Sequence, residues 1–311
     1  MDGNIAIRTI VPILLLMILG FFSRKMGILK SGDERVLNAY VYYFALPALF
    51  LVDLAEANFT HDDLRFVLAG ITPIFIVMAV YISLYVMFRF SRNTLYLLIL
   101  STIFGSLAFF GIPFLMFAFP TEEGEHLATM SASSISVVSV AISIAVLELY
   151  KLEKSTMWEG VKRVAKRLSK NPLIISILAG ILLSFSGLEI PSPIATSLHM
   201  LGSTTAAVAI FLLGVFLYGR KYTNIAKAFE LSLLRIVFLP VLAIFVALLF
   251  NLPDLEKVTT VLMHTMPVAI SMIVLSERYN FYKETIASLI LISSIGAGIY
   301  LNLWLLLLGY H

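Results

Sequence analysis

Long apolar runs recur from one end of the chain to the other, separated by short breaks that are charged or contain Gly and Pro. A helix needs about 20 consecutive apolar residues to cross about 30 Å of hydrocarbon, and the runs have this length. The pattern therefore predicts an all-α membrane protein that leaves no residues for a soluble domain. Ten runs can be distinguished, at residues 5–23, 36–55, 64–88, 94–119, 127–150, 172–188, 194–219, 228–250, 257–276 and 285–309.

The composition agrees with this interpretation. Hydrophobic residues make up 60% of the 311 positions, charged residues only 13%, and the mean hydropathy is +0.97. These values are far from those of a soluble domain. The chain has no cysteine, which excludes disulfides and cysteine-ligated metals. No metal and no cofactor is predicted.

The charged breaks fall into two sets. Most of the 22 Lys and Arg residues follow the odd-numbered runs, whereas the opposite breaks are acidic, as in EANFTHDD (56–63) and TEEGEH (121–126). The positive-inside rule assigns the basic set to the cytoplasm. We therefore expect a multi-pass protein of the plasma membrane with both termini on the extracytoplasmic side.

The longest break, residues 151–171, is strongly basic and repeats apolar residues at helical spacing. It is interpreted either as an amphipathic helix that contacts anionic lipid or a partner, or as a solvated linker, and the second interpretation is favoured. This linker divides the chain into segments 1–150 and 172–311, each with five runs. An odd number of spans per half makes the second half enter the membrane from the opposite side.

Several residues recur in the same order in the two halves, which indicates an inverted repeat. Pro12, Gly20 and Gly27 match Pro172, Gly180 and Gly187 at a constant offset of 160, and later matches pair Pro73 with Pro240 and Pro113 with Pro267. Two inverted five-helix repeats are a common plan of secondary transporters.

The fourth and ninth runs contain helix-breaking sequences, FFGIPF (109–114) and HTMPVA (264–269). Carbonyls freed by a proline in lipid need a partner, so such a break must be buried in protein or line a wet cavity. We expect each proline to begin a second half-helix whose N-terminus, pointing to the bilayer centre, favours an anion. The first half-helices would end there with free carbonyls that can hold a proton donor or a cation. The alternative is that both prolines only kink continuous helices.

The sequence resembles the auxin efflux carrier family, which includes plant PIN-FORMED carriers and prokaryotic malate or malonate permeases. The resemblance covers nearly the whole chain and is carried by LGFFSRKMGIL (19–29), YYFALPALF (42–50), FFGIPF (109–114), NPLIISILAGILLS (171–184), AIFLLGVFL (209–217) and TMPVAISMIVLSERYN (265–280).

The resemblance implies a fold similar to that of sodium/bile acid symporters, in which the broken fourth and ninth helices cross near the membrane centre. It further implies that spans 1, 2, 6 and 7 form a scaffold, which dimerises in some members, and that spans 3–5 and 8–10 form a moving transport domain. The chain departs from the family pattern at Ser106, where an asparagine is common, and at Val268, where the plant carriers have glutamine.

The candidate substrate-binding residues surround the two prolines: Ser106, Gly111, Ile112, Pro113, His264, Thr265, Met266, Pro267 and Ser271. His264 titrates in the physiological range, so it is a candidate for a coupling proton or for binding a carboxylate. A structural histidine that donates to a freed carbonyl is an equal alternative.

Three further polar residues lie within apolar runs. Arg235 could oppose a substrate carboxylate and is a possible coupling or gating residue. Snorkelling or pairing with Glu230 is favoured because Arg235 lies about two turns from the cytoplasmic end of its run. Asp53 is a candidate for an outer vestibule and for coupling or gating, with solvation or pairing with Arg8 as its alternative. His199 has no polar neighbour in the sequence and is interpreted as structural.

The sequence thus predicts a secondary carrier that moves a small organic anion, a dicarboxylate or a hydrophobic monocarboxylate, by alternating access. Uniport driven by the membrane potential or proton coupling is favoured over sodium symport. No catalytic motif such as G-x-S-x-G or H-E-x-x-H occurs, so an enzyme is not predicted. The alternative function is a receptor or sensor that binds a ligand without turnover. The expected partners are the anion, membrane lipid and a second copy of the chain, and no nucleic acid.

Overall fold

All named elements of the described chain are helices. The computed structural model describes residues 5–56, 60–151, 162, 164–166, 168–219 and 222–310. Each apolar run of the sequence lies in one helix or in a pair of helices. The elements are α1 (Ile5–Lys25), α2 (Asp33–Glu56), α3 (His61–Phe88), α4a (Arg92–Ile103), α4b (Leu107–Ala118), α5 (Glu122–Lys151), α6 (Pro172–Ser186), α7 (Ser192–Leu217), α8 (Ile225–Leu249), α9a (Asp254–Thr265), α9b (Ser271–Tyr279) and α10 (Lys283–Leu307).

The length and composition of the helices are those of a multi-pass membrane protein. Within the described residues, α2, α3, α5, α7, α8 and α10 are each long and apolar enough to cross a membrane. The helices α4b and α6 are apolar but shorter. Most of the predicted basic linker, residues 152–161, 163 and 167, lies outside the described residues.

Local sequence explains where several helices begin. Thr60 precedes α3, and its hydroxyl accepts from the Asp63 N–H at 3.2 Å while the Asp63 carboxylate accepts from the Thr60 N–H at 2.7 Å. This is a reciprocal capping box. Asn171 caps α6, because its side-chain oxygen accepts from the Leu173 N–H at 3.0 Å. Pro172 follows at the first helical position, where its missing N–H is not needed.

Three helices contain one turn of wider π-helix, and each such turn ends two residues before a proline. The turns are Val41–Ala45 before Pro47, Leu107–Gly111 before Pro113, and Leu234–Phe238 before Pro240. A proline ring clashes with the carbonyl four residues back, and a π turn moves that carbonyl aside by shifting the hydrogen bonds to five-residue spacing. The helices therefore continue through these prolines.

The helices pack in two groups. In the first, α1 packs along α7, and α2 packs along α6 and α7. In the second, α8 contacts α3, α9a and α10, while α5 contacts α3, α4a, α4b and α9a. Contact between the groups is made chiefly where α1 and α7 touch α4b and where α2 touches α5.

Candidate functional site

The fourth and ninth runs are both interrupted. Helix α4a ends at Ile103 and α4b begins at Leu107, so residues 104–106 are not helical. Helix α9a ends at Thr265 and α9b begins at Ser271, which leaves residues 266–270 outside the helices. Both interruptions lie in buried parts of the molecule.

The two interruptions meet and pair through their backbones. The Ser106 N–H donates to the Pro267 carbonyl at 2.7 Å, and the Ala269 N–H donates to the Phe104 carbonyl at 2.9 Å. Gly105 and Val268 lie opposite each other in this short antiparallel pairing. Buried backbone groups need partners, and each broken segment supplies them to the other.

The guanidinium of Arg235 lies beside this pairing and bonds to both first half-helices. Its Nη1 donates to the Thr102 carbonyl at 2.7 Å, in the last turn of α4a. On the other side, Nε donates to the Met266 carbonyl at 2.8 Å and Nη2 to the Met263 carbonyl at 3.3 Å. The carbonyls that end α4a and α9a therefore have a cationic partner.

The favoured interpretation of Arg235, snorkelling or pairing with Glu230, was wrong. Its side chain is completely buried, whereas a snorkelling side chain would reach the membrane surface. Glu230 is exposed on the same helix, and the bonded partners of Arg235 are backbone carbonyls instead. The π turn Leu234–Phe238 contains Arg235, so this residue lies where the regular helix is already widened.

Two glycines make the close approach possible. A Cβ atom built on Gly105 would lie 1.7 Å from Nη2 of Arg235, so only glycine leaves room for the guanidinium. A Cβ atom on Gly111 would lie 2.6 Å from the Met263 sulfur, which explains why α4b can pass so near α9a. Gly111 was among the predicted site residues, and Gly105 was missed.

The positions of the two prolines differ from the expectation. The second half-helix of the fourth run begins at Leu107, six residues before Pro113. The π turn Leu107–Gly111 lets this helix continue through the proline. Pro267 lies within the second interruption, four residues before α9b begins. The helices are broken as predicted, but neither proline is the first residue of a second half-helix.

His264 and Thr265 lie in the last turn of α9a. His264 is completely buried, and its Nε2 lies 2.7 Å from the Gly70 carbonyl of α3, while its Nδ1 has no hydrogen-bond partner. Nε2 must carry the proton to donate this bond. The Thr265 hydroxyl donates to the Val261 carbonyl of its own helix at 2.7 Å. Both side chains thus bond to backbone carbonyls.

The other predicted residues lie within the two interruptions or in the helices that follow them. Ser106, Ile112, Pro113, Met266 and Pro267 are buried, and Ser271 is half-buried at the start of α9b. Both backbone groups of Ser106 are bonded: its N–H donates to Pro267, and its carbonyl accepts from the N–H groups of Phe110 and Gly111 at 3.0 Å.

Asp53 and His199 have partners elsewhere. The Asp53 carboxylate accepts from the Thr129 hydroxyl of α5 at 3.0 Å, and the structure joins it to no crossover residue. His199 was expected to have no polar neighbour, but its Nε2 lies 3.1 Å from the Glu56 carboxylate. This pair joins α7 to α2.

A buried carboxylate was missed in the sequence. Glu148 in α5 is 2% exposed, and its Oε1 accepts from the Tyr279 hydroxyl of α9b at 2.6 Å. The signal that could have found it is an acidic residue inside an apolar run, which in a membrane protein usually has a buried partner.

A narrow apolar crevice runs beside the start of α4b. Its walls come from Ile13 and Met17 of α1, Phe110 and Phe114 of α4b, and Ser294 and Leu301 of α10. The Ser294 hydroxyl is buried and has no hydrogen-bond partner in the described structure. The crevice thus lies between the first packing group and the crossing helices.

Apolar spanning helices together with a buried backbone crossing of two broken helices define a membrane transport protein. The chain belongs to the family described as membrane transport protein, whose profile matches residues 5–305. This is the family of the auxin efflux carriers, so the resemblance seen in the sequence motifs is confirmed.

Similar proteins align with nearly the whole of this chain. The chain is 25% identical over 308 residues to "Uncharacterized transporter YfdV" of Escherichia coli, with 96% of each chain covered. It is 24% identical over 303 residues to the "Putative malonate transporter" of Rhizobium meliloti, covering 92% of this chain and 90% of that one. It is also 26% identical over 336 residues to the mouse "Lysosomal cholesterol signaling protein", covering 97% of this chain but 38% of the mouse protein.

Proposed function

We propose that the protein is a secondary carrier of small organic anions and that the substrate binds where α4 and α9 cross. The observation that carries this proposal is the crossing itself, in which Ser106 and Ala269 join the two interruptions and Arg235 bonds to both. A membrane helix bears an interruption at this depth only where the free backbone groups have partners or serve a ligand.

The charges around the crossing favour an anion. The first N–H groups of α4b, at residues 107–109, lack a carbonyl in their own helix, and a helix N-terminus carries about half a positive charge. The charge of Arg235 offsets the partial negative charge of the carbonyls that end α4a and α9a, and no carboxylate of the described residues forms a salt bridge with it.

We assign the whole fold as ten spans in two inverted five-helix repeats. Helices α1, α2, α6 and α7 form the scaffold, and α3–α5 with α8–α10 form the transport domain that moves during alternating access. The two packing groups of helices support this division. Both ends of the chain face outward, the membrane is the plasma membrane, and a second copy joins through the scaffold.

The substrate class can be tested first. The name of the Rhizobium meliloti relative makes malonate the first dicarboxylate to try, and a hydrophobic monocarboxylate is the second. A thermal-shift screen of carboxylates identifies ligands, since a ligand that binds only the folded state raises its stability. Counterflow of labelled malonate in proteoliposomes then tests transport. Accumulation above the level in empty liposomes is expected, and no counterflow with any carboxylate that stabilises the protein would overturn the carrier proposal.

A receptor or sensor that binds without turnover is the second candidate. It is favoured by the similarity to the mouse protein, whose name describes signalling and of which this chain matches 38%. The same two measurements separate the candidates. A carboxylate that raises the melting temperature but never exchanges across the membrane would support the sensor.

A further inference from the structure

The ends of the two first half-helices create an electrostatic problem at the crossing. Helices α4a and α9a both stop there, and the last carbonyls of a helix carry about half a negative charge. Two such ends facing one buried point repel each other unless a cation lies between them. Carbonyl oxygens gathered in this way resemble the ligand set of a hard metal cation.

Arg235 supplies that cation from within the chain. Its guanidinium bonds to Thr102 on one side and to Met263 and Met266 on the other, at 2.7–3.3 Å. The planar group fits because Gly105 has no side chain to occupy its place. An arginine side chain keeps its charge in a protein, so the cation is permanent.

We propose that Arg235 is a fixed internal cation that takes the place of a transported coupling cation at the crossing. This inference rests on the proposed carrier function. A carrier with this arrangement needs neither Na⁺ nor K⁺ to bring the two half-helix ends together, because the charge that joins them is covalently attached to α8. Arg235 acts here as a positioning residue that holds the crossing in the geometry that binds the anion.

Chemical rescue tests the proposal. Arg235→Ala removes the guanidinium and leaves the three carbonyls without their donor, so malonate counterflow should fall at least about tenfold. Millimolar guanidinium chloride, far below the molar range that denatures proteins, should restore part of the rate. Tetramethylammonium chloride at equal ionic strength should not, since it has no N–H groups. Wild-type counterflow should proceed at equal rates in Na⁺, K⁺ or N-methylglucamine buffers.

Arg92→Ala is the matched control, because Arg92 is an exposed arginine at the start of α4a. It should keep the wild-type rate with or without guanidinium. A wild-type protein that requires Na⁺ or K⁺, or an alanine variant of Arg235 that is fully active without guanidinium, would overturn the proposal.

A second readout does not depend on transport. Guanidinium should raise the melting temperature of Arg235→Ala in detergent, and should leave that of the wild type unchanged.

If the alanine variant does not accumulate, Arg235→Lys provides the test, since it keeps a cation but loses the fork of donors. Its counterflow should be reduced and still independent of Na⁺, and a lysine variant that needs Na⁺ would contradict the proposal. Should the wild type show no counterflow at all, the carrier function fails, while the melting experiment still decides whether a fixed cation holds the crossing.

Discussion

At the scale of single residues, the crossing depends on side chains whose partners are far away in sequence. Arg235 bonds to carbonyls 28, 31 and 133 residues away, and His264 bonds to a carbonyl 194 residues away. Both side chains are thus paired with backbone from another helix. Breaking one such pair leaves a buried group without a partner, which costs about 1–3 kcal/mol.

His264 is expected to anchor α9a to α3 as a neutral imidazole and not to carry a coupling proton. Its Nε2 is bonded to Gly70, and a second positive charge so near the guanidinium of Arg235 would be unfavourable. His264→Ala should lower the free energy of unfolding by about 2–4 kcal/mol, from the unpaired carbonyl and the cavity. His264→Gln, which keeps an amide donor, should lose less and retain the wild-type pH profile of counterflow. A glutamine variant whose transport no longer depends on pH would assign the coupling proton to His264.

Gly105→Ala should disrupt the crossing although it adds one methyl group. The new Cβ would overlap the guanidinium of Arg235, so either the arginine or the broken segment must move. We expect reduced expression or a lower melting temperature, and loss of malonate counterflow. Gly296→Ala is the control, because its Cβ would lie 3.5 Å from the Tyr300 ring, an ordinary contact. Equal behaviour of the two variants would contradict the packing around Arg235.

At the scale of single helices, the π turns explain how proline-containing spans stay helical. The carbonyl four residues before Pro240 belongs to Ile236, and it accepts from the Trp304 indole N–H of α10 at 2.8 Å. A neighbouring helix thus supplies the donor that the proline lacks, as a span in lipid requires.

Trp304→Phe should therefore lower stability through a lost hydrogen bond, by about 1–2 kcal/mol beyond the change in packing. Pro240→Ala restores an N–H that can reach the Ile236 carbonyl. In a double-mutant cycle measured by thermal unfolding, the cost of Trp304→Phe should be smaller in the Pro240→Ala background. Additive effects would show that the indole bond and the proline are independent.

The sequence predicted the interruptions but not their limits. FFGIPF pointed to a break at Pro113, yet the helix stops at Ile103 and resumes at Leu107. A proline marks where one hydrogen bond is lost, whereas the position of a break is set by which other backbone can replace the missing bonds. Here Pro267 and Ala269 provide that replacement, and pairing across the molecule cannot be read from local sequence. The role of Arg235 was missed for the same reason.

At the scale of the whole molecule, the helices form two groups, with the crossing in one of them and a crevice at their boundary. The apolar spans and the family membership could be predicted from the sequence, because both depend only on the residues within each run. The inverted repeat and the orientation stay predictions, since they depend on the membrane that surrounds the chain.

Cysteine labelling tests the orientation cleanly because the chain has no cysteine of its own. Glu123 and Asn93 are exposed in the first turns of α5 and α4a, and the proposed topology places these two helix starts on opposite sides of the membrane. A membrane-impermeant maleimide should label Glu123→Cys in intact cells, and Asn93→Cys only after permeabilisation. The reverse pattern would invert the proposed topology.

The central claim is that the anion binds at the crossing of the two broken helices, and protection of a single thiol at Ser106 tests it most directly. Ser106→Cys places the only thiol of the protein at the paired backbones. Its rate of reaction with a small maleimide is measured in proteoliposomes with and without saturating malonate, or the carboxylate that most raises the melting temperature. A ligand bound at the crossing should slow labelling severalfold. A variant that still exchanges the carboxylate across the membrane, but whose labelling rate does not change when the carboxylate is added, would contradict it.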